Sequence, residues 1–161
     1  ARIKLVLDDP FFGVICMRWE IVELPDGTMA TDGNNLYYNP AWVSTINDAE
    51  LLGVIVHEAM DVALLHMLRL GNRDKMVANM AMDYVVNGTI EETDPTHSFV
   101  EHPTSIPPLL DKKYFGWSFV EVLQDLIKEC EESGGDPTAG SGEGDGVLEV
   151  VEENGTITFN L

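Results

Sequence analysis

The stretch from Asn47 to Gly71, "NDAELLGVIVHEAMDVALLHMLRLG", constrains this chain more than any other segment. Asn47 or Asp48 can cap a helix at its start, and Gly71 supplies the usual C-terminal stop. Between them lies an apolar-rich run long enough for a helix of roughly six turns. Each helical residue advances about 100°, so positions 57 and 61 stand about 40° apart and one turn along the axis. Side chains placed that way can converge on one ion. Here they are His57 and Asp61, with Glu58 beside the first.

The remaining elements must pack around this helix. Residues 1–7 read as the end of a helix or a strand, halted by "DDP". "FFGVICMRWEIVEL" is rich in aromatic and branched residues, "PDGT" supplies turn chemistry, and "TMATDGNNLYYN" offers two short strands around "DGNN". An antiparallel meander over about residues 14–38 is therefore expected. A second helix is predicted over about 74–90, where Met76, Val77, Met80, Tyr84 and Ile90 recur at helical spacing. Prolines and histidines in "DPTHSFVEHPTSIPP" mark a long loop. "GWSFVEVLQDLIKECEE" reads as a third helix, with Ser118 and Glu121 in capping-box spacing. The fold class is thus α+β, a meander packed on the motif helix plus two further helices. Residues 1–132 form the expected domain, 133–146 ("SGGDPTAGSGEGDG") a linker, and 147–161 a hairpin turning at Asn154-Gly155.

With 161 residues, 45% of them hydrophobic, the chain can bury a core of its own. Acidic residues outnumber basic ones 28 to 9, for a formal charge of −19. Such a surface repels nucleic acid and anionic lipid, keeps a protein soluble, and suits cations or a basic protein partner. Cys16 and Cys130 lack Cys-x-x-Cys spacing, so free thiols are expected rather than a thiolate site. No apolar run is long enough to span a bilayer or serve as a secretory signal, which makes the cytoplasm the default compartment. The opening "ARIKLVL", without methionine, is what an excised fragment would show.

His-Glu-x-x-His on a helix places two imidazoles on zinc and a general base beside them. His57 and Glu58 match this motif, whereas Asp61 stands where the second histidine belongs. A carboxylate also ligates zinc, but an Asp side chain is shorter than imidazole. His66 is nine residues after His57, about 180° round a straight helix, and so is only an additional candidate. On the second helix Asn79, Asp83 and Asn87 make an i, i+4, i+8 stripe. That stripe either ties two helices together by hydrogen bonds or brings Asp83 to His57 as a further ligand. His97 and His102 in the loop are surface histidines or complete a site, and Tyr37 and Tyr38 belong to sheet and core. Met60, Met67, Met76, Met80 and Met82 are packing residues rather than copper ligands. Arg69 is expected to pair with a carboxylate.

The ordered segments "ATDGNNLYYNPAWV", "ELLGVIVHEAMDVALLHMLR", "NMAMDYVVN" and "IPPLLDKKYFGWSFVEVLQDL" carry a resemblance. Over about residues 10–130 the chain resembles the metallopeptidase domain that often precedes a von Willebrand factor A-like domain in bacterial and phage proteins. That family's helix reads His-Glu-x-x-His-x-x-x-x-His-x-x-Arg, matched here at His57, Glu58, His66 and Arg69. The resemblance implies a zincin-like fold and zinc-dependent hydrolysis of peptide bonds, with Glu58 as general base. Zn²⁺ would be held by His57, Asp83 and Asp61, and the departure at Asp61 weakens or disables the site. Residues 133–161 are too few for the A-like domain. The competing expectation is a catalytically silent acidic domain that binds a basic protein.

Overall fold

The computed structural model describes residues 1–64, 75–132, 149–153 and 156–160. The chain opens with two helices, α1 (Arg2–Asp8) and α2 (Pro10–Arg18). Three short strands follow: β1 (Glu20–Glu23), β2 (Met29–Thr31) and β3 (Asn35–Tyr38). Next come the short α3 (Pro40–Val43), the motif helix α4 (Asp48–Ala63), and α5 (Lys75–Thr93). A 3₁₀ turn at Lys112–Tyr114 leads into α6 (Phe119–Glu132), and β4 (Glu149–Glu153) pairs with β5 (Thr156–Asn160). The class is mixed α+β, as expected.

The expected meander is corrected in two respects. Residues 14–18 are helical, because the Asp9 carboxylate accepts from the Phe11 and Phe12 amides and Pro10 occupies the first turn. Such a cap with proline at N1 overrides the strand preference of "FFGVIC". The sheet is also not purely antiparallel: its order is β1-β3-β2, with β1 parallel to β3. The tight hairpin is the one around "DGNN", where Asp32 accepts from the Asn34 and Asn35 amides at 2.8 and 2.7 Å. Of the two readings of residues 1–7 the helix is the one found, as α1 with Ala1 at its cap, while α2 and α3 add to the expected helices. In the C-terminal hairpin Glu153 stands opposite Thr156, the register a two-residue turn requires. The turn itself lies outside the described residues.

Asn47 caps α4, accepting from the Ala49 and Glu50 amides, and Glu50 completes a capping box. The helix is described as far as its cap, Leu64; Gly71, and with it the predicted six turns, lies outside the described residues. Leu52, Ile55, Val56, Ala59 and Met60 form its buried face, packed with Leu5, Cys16, Trp19, Leu36, Val86 and Ile90. A second cluster joins Val77, Ala78, Ala81 and Met82 of α5 to Phe119, Val122, Leu123 and Leu126 of α6. The helix α5 therefore belongs to both halves of the core. Of the methionines, Met60 and Met82 are buried and Met80 packs against the second cluster. Met76 is a correction: it is 38% exposed, although Val77 and Ala78 beside it are buried. Met67 falls outside the described residues. No disulfide links Cys16 and Cys130. Among the described residues no helix is long and apolar enough to cross a membrane.

Candidate metal centre

The helices α4 and α5 lie against each other with their polar stripes facing. His57 Nε2 is 3.5 Å from Asp83 Oδ1 on α5 and 3.7 Å from Asp61 Oδ2 one turn along α4. On the other side of the ring, His57 Nδ1 lies 3.1 Å from Asn87 Oδ1. The Asn87 amide nitrogen donates to the Leu109 carbonyl at 3.1 Å, which leaves its oxygen turned to the histidine. Nδ1–H is then the donor, and Nε2 points at the two carboxylates. A histidine ligand held by such an outer hydrogen bond is the usual arrangement at metal sites.

The α5 stripe ties the helices together, as the first of the two readings has it. Asp83 comes to His57, while Asn87, only 4% exposed, ties the two helices and the loop at Leu109 together. The orienting task of Asn87 was not read from the sequence. Its signal was the position one turn beyond Asp83. Glu58 is half-buried beside His57 and adds to the negative potential there. His66 and Arg69 lie outside the described residues. Among the described residues no group of three or more His, Cys, Asp or Glu side chains is placed to hold a metal ion.

Burial alone would lower the pKa of His57. The hydrogen bond to Asp83 and the charges of Asp61, Asp83 and Glu58 outweigh it and push the pKa up to about 10. Without metal the ring is therefore an imidazolium clasped by carboxylates. Because the folded pKa is raised, the stabilisation is fully present below the unfolded value of about 6.5 and is lost as pH rises through about 10. Metal-free protein should lose stability relative to a His57→Gln variant as pH is raised from about 6.5 to 8.5, with a slope approaching 1.4 kcal/mol per pH unit. Paired urea titrations over that range measure it. Parallel curves for the two proteins would show that the carboxylates do not hold the proton.

The loop over residues 94–104 is shaped by two carboxylates. Glu50, only 6% exposed, accepts from the Asn47 amide at 2.9 Å and from the Thr104 amide at 2.8 Å. Those two donors hold its carboxyl below the usual range. Asp94 accepts from the Ser98, Phe99 and Val100 amides and from the Ser98 hydroxyl, at 2.7 to 3.0 Å. Burial would raise its pKa, but these donors win and hold it well below the carboxylate range. His102 rides on this loop. Tyr37 and Tyr38 sit in β3 as expected, and the Tyr37 hydroxyl donates to Asp32 at 2.9 Å.

This geometry can be set beside known proteins. The sequence profile of a family described as "Putative metallopeptidase domain" matches residues 1–155, nearly the whole chain. The chain belongs to that family. No curated protein and no solved structure matches it.

Proposed function

We propose that the chain is a zinc-dependent peptide hydrolase domain of zincin-like plan, weakened by the aspartate at its second ligand position. The observation that supports this best is the convergence of His57 Nε2 on Asp83 and Asp61 while Asn87 engages Nδ1. One imidazole and two carboxylates suit a borderline divalent ion, so the residues present fit zinc. His57, Asp61 and Asp83 would hold it. Bound zinc supplies Lewis acidity to a water and to the scissile carbonyl. Glu58, adjacent to His57, takes the proton of the attacking water and passes it to the leaving amine. Asn87 keeps the ring in the tautomer whose Nε2 is free for the ion. Two carboxylates leave the ion less electrophilic than two further imidazoles would, so turnover is slower than on a His-Glu-x-x-His helix. Localisation in the cytoplasm completes this reading.

The experiment is metal analysis of protein purified without chelators, with zinc re-addition, for the wild type and for His57→Gln. A His57-dependent equivalent of zinc is the expected result. If the wild type at saturating zinc carries no equivalent that His57→Gln loses, the centre is not a zinc site. The acidic binding domain engaging a basic partner then becomes the better account of the −19 charge.

A further inference from the structure

We propose that the outer face of α1 and α2 is a homodimer interface, on which a second copy of this chain packs about a twofold axis at Val14. Ile3 and Leu7 of α1, and Phe11, Val14 and Met17 of α2, are each more than half exposed. Helical spacing stacks Ile3 and Leu7 one turn apart and makes a row of Phe11, Val14 and Met17 along α2. The two helices are fixed against each other. A Cβ on Gly13 would stand 2.6 Å from Val6 Cα, so no side chain separates the backbones there. Ile3, Met17 and Ile21 line one groove of about 510 Å³, together with the buried Met29, Leu36 and Ile55. The two rows therefore meet in one surface. It presents on the order of 700 Å² of apolar residue, close to the about 800 Å² that each partner gives to a stable complex. A monomer ordinarily leaves less than that in water.

Charge decides what covers this face. Residues 1–21 carry three basic side chains, Arg2, Lys4 and Arg18, and three acidic ones, Asp8, Asp9 and Glu20. The whole formal charge of −19 thus lies on the rest of the chain. Anionic lipid and nucleic acid require a cationic excess, and a basic protein is drawn to the acidic remainder. A second copy meets no net repulsion here. With the axis at Val14 the two α2 helices run antiparallel, which sets their dipoles favourably. The exposed Arg18 in the last turn of one then stands by the Asp8-Asp9 end of the other. Residues 11 and 17 lie three positions either side of the axis, so each Phe11 enters the groove beside the partner's Met17. An exposed aromatic ring and an apolar groove on one face are the complementary parts that an isologous pair needs. Neither helix has to move.

The test is analytical ultracentrifugation of the full chain across the micromolar range, where the wild type should pass from monomer to dimer. Val14→Glu sets two carboxylates at the axis and should weaken association at least about 100-fold, and Phe11→Ala at least about tenfold. Both positions are exposed, so the circular dichroism spectra should not change. In a Cys130→Ser background, Val14→Cys should couple to its own copy through a short bismaleimide, since Cys16 is buried. A chain that stays monomeric at the highest concentration would overturn the proposal. So would a dimer indifferent to Val14→Glu, or one in which Val14→Cys does not couple. Monomer that instead floats with phosphatidylserine vesicles would overturn it too and assign the face to a membrane.

Discussion

We expect Gly53→Ala to lower the free energy of unfolding by about 2–3 kcal/mol and to loosen the loop around Glu101 that packs on α4. A Cβ at position 53 would stand 2.1 Å from the Glu101 carbonyl oxygen and 3.0 Å from its carbon. These are backbone atoms, so the clash cannot be relieved by turning a side chain. The Glu101 amide donates to the Ala49 carbonyl at 3.3 Å, and Thr104 donates to Glu50, so the loop is pinned to α4 on both sides of the contact. Overpacking a core costs typically about 1–3 kcal/mol, and a backbone clash belongs at the upper end. Alanine's better helix propensity returns only about 0.5–1 kcal/mol. Steric repulsion wins. Gly88→Ala is the matched control, because its Cβ would meet only the Phe115 ring at 3.4 Å. Chemical denaturation should rank Gly53→Ala far below Gly88→Ala. Equal midpoints would show that α4 and the loop do not approach as described.

The same contact shows where sequence reading reaches its limit. Caps are local, and so the starts of α4 and α6 were legible: Asn47 accepts from Glu50 N at 3.0 Å, and Ser118 Oγ donates to Glu121. The spacing of His57, Asp61 and Asp83 was legible as well, since helical period alone puts such residues on lines that can face each other. What failed was decided by partners distant in sequence. One oxygen of Glu50 is explained by the capping box, but the other accepts from Thr104, 54 residues away. The parallel pairing of β1 with β3 has no turn signal, because β2 lies between them in sequence. Helix α2 shows the opposite fault. Its aromatic and branched residues read as strand, and the deciding signal, Asp9-Pro10, was legible but given too little weight against them.

Local and distant causes meet at the centre itself. Packing α5 against α4 places Asn87 and Asp83 on opposite sides of one ring, so α5 sets the tautomer and shares the negative pocket with Asp61 and Glu58 of α4. Val86 and Ile90, buried in the core shared with α4, set that rotation. A polar stripe next to an apolar one fixes both packing and chemistry. The position that departs from the motif, Asp61, lies on α4, one turn beyond His57.

Asp61→His is therefore the substitution with the largest expected gain. It puts a second imidazole one turn from His57, restores His-Glu-x-x-His, and removes one of the carboxylates that clasp the His57 proton. A ring reaches further from the helix than an Asp carboxyl, so the ion is held without drawing α4 toward α5. Zinc should bind more tightly than in the wild type, and cleavage of a mixed quenched-peptide library should appear or rise with it. In that background Glu58→Gln should keep the zinc but lower the rate roughly 10²–10⁴-fold, because only the general base is lost. The pair of measurements separates the two halves of the chemistry. Zinc bound by Asp61→His without any peptide cleavage would leave a metal site but sink the peptidase reading. Cleavage equally fast with and without Glu58 would remove that residue from the reaction.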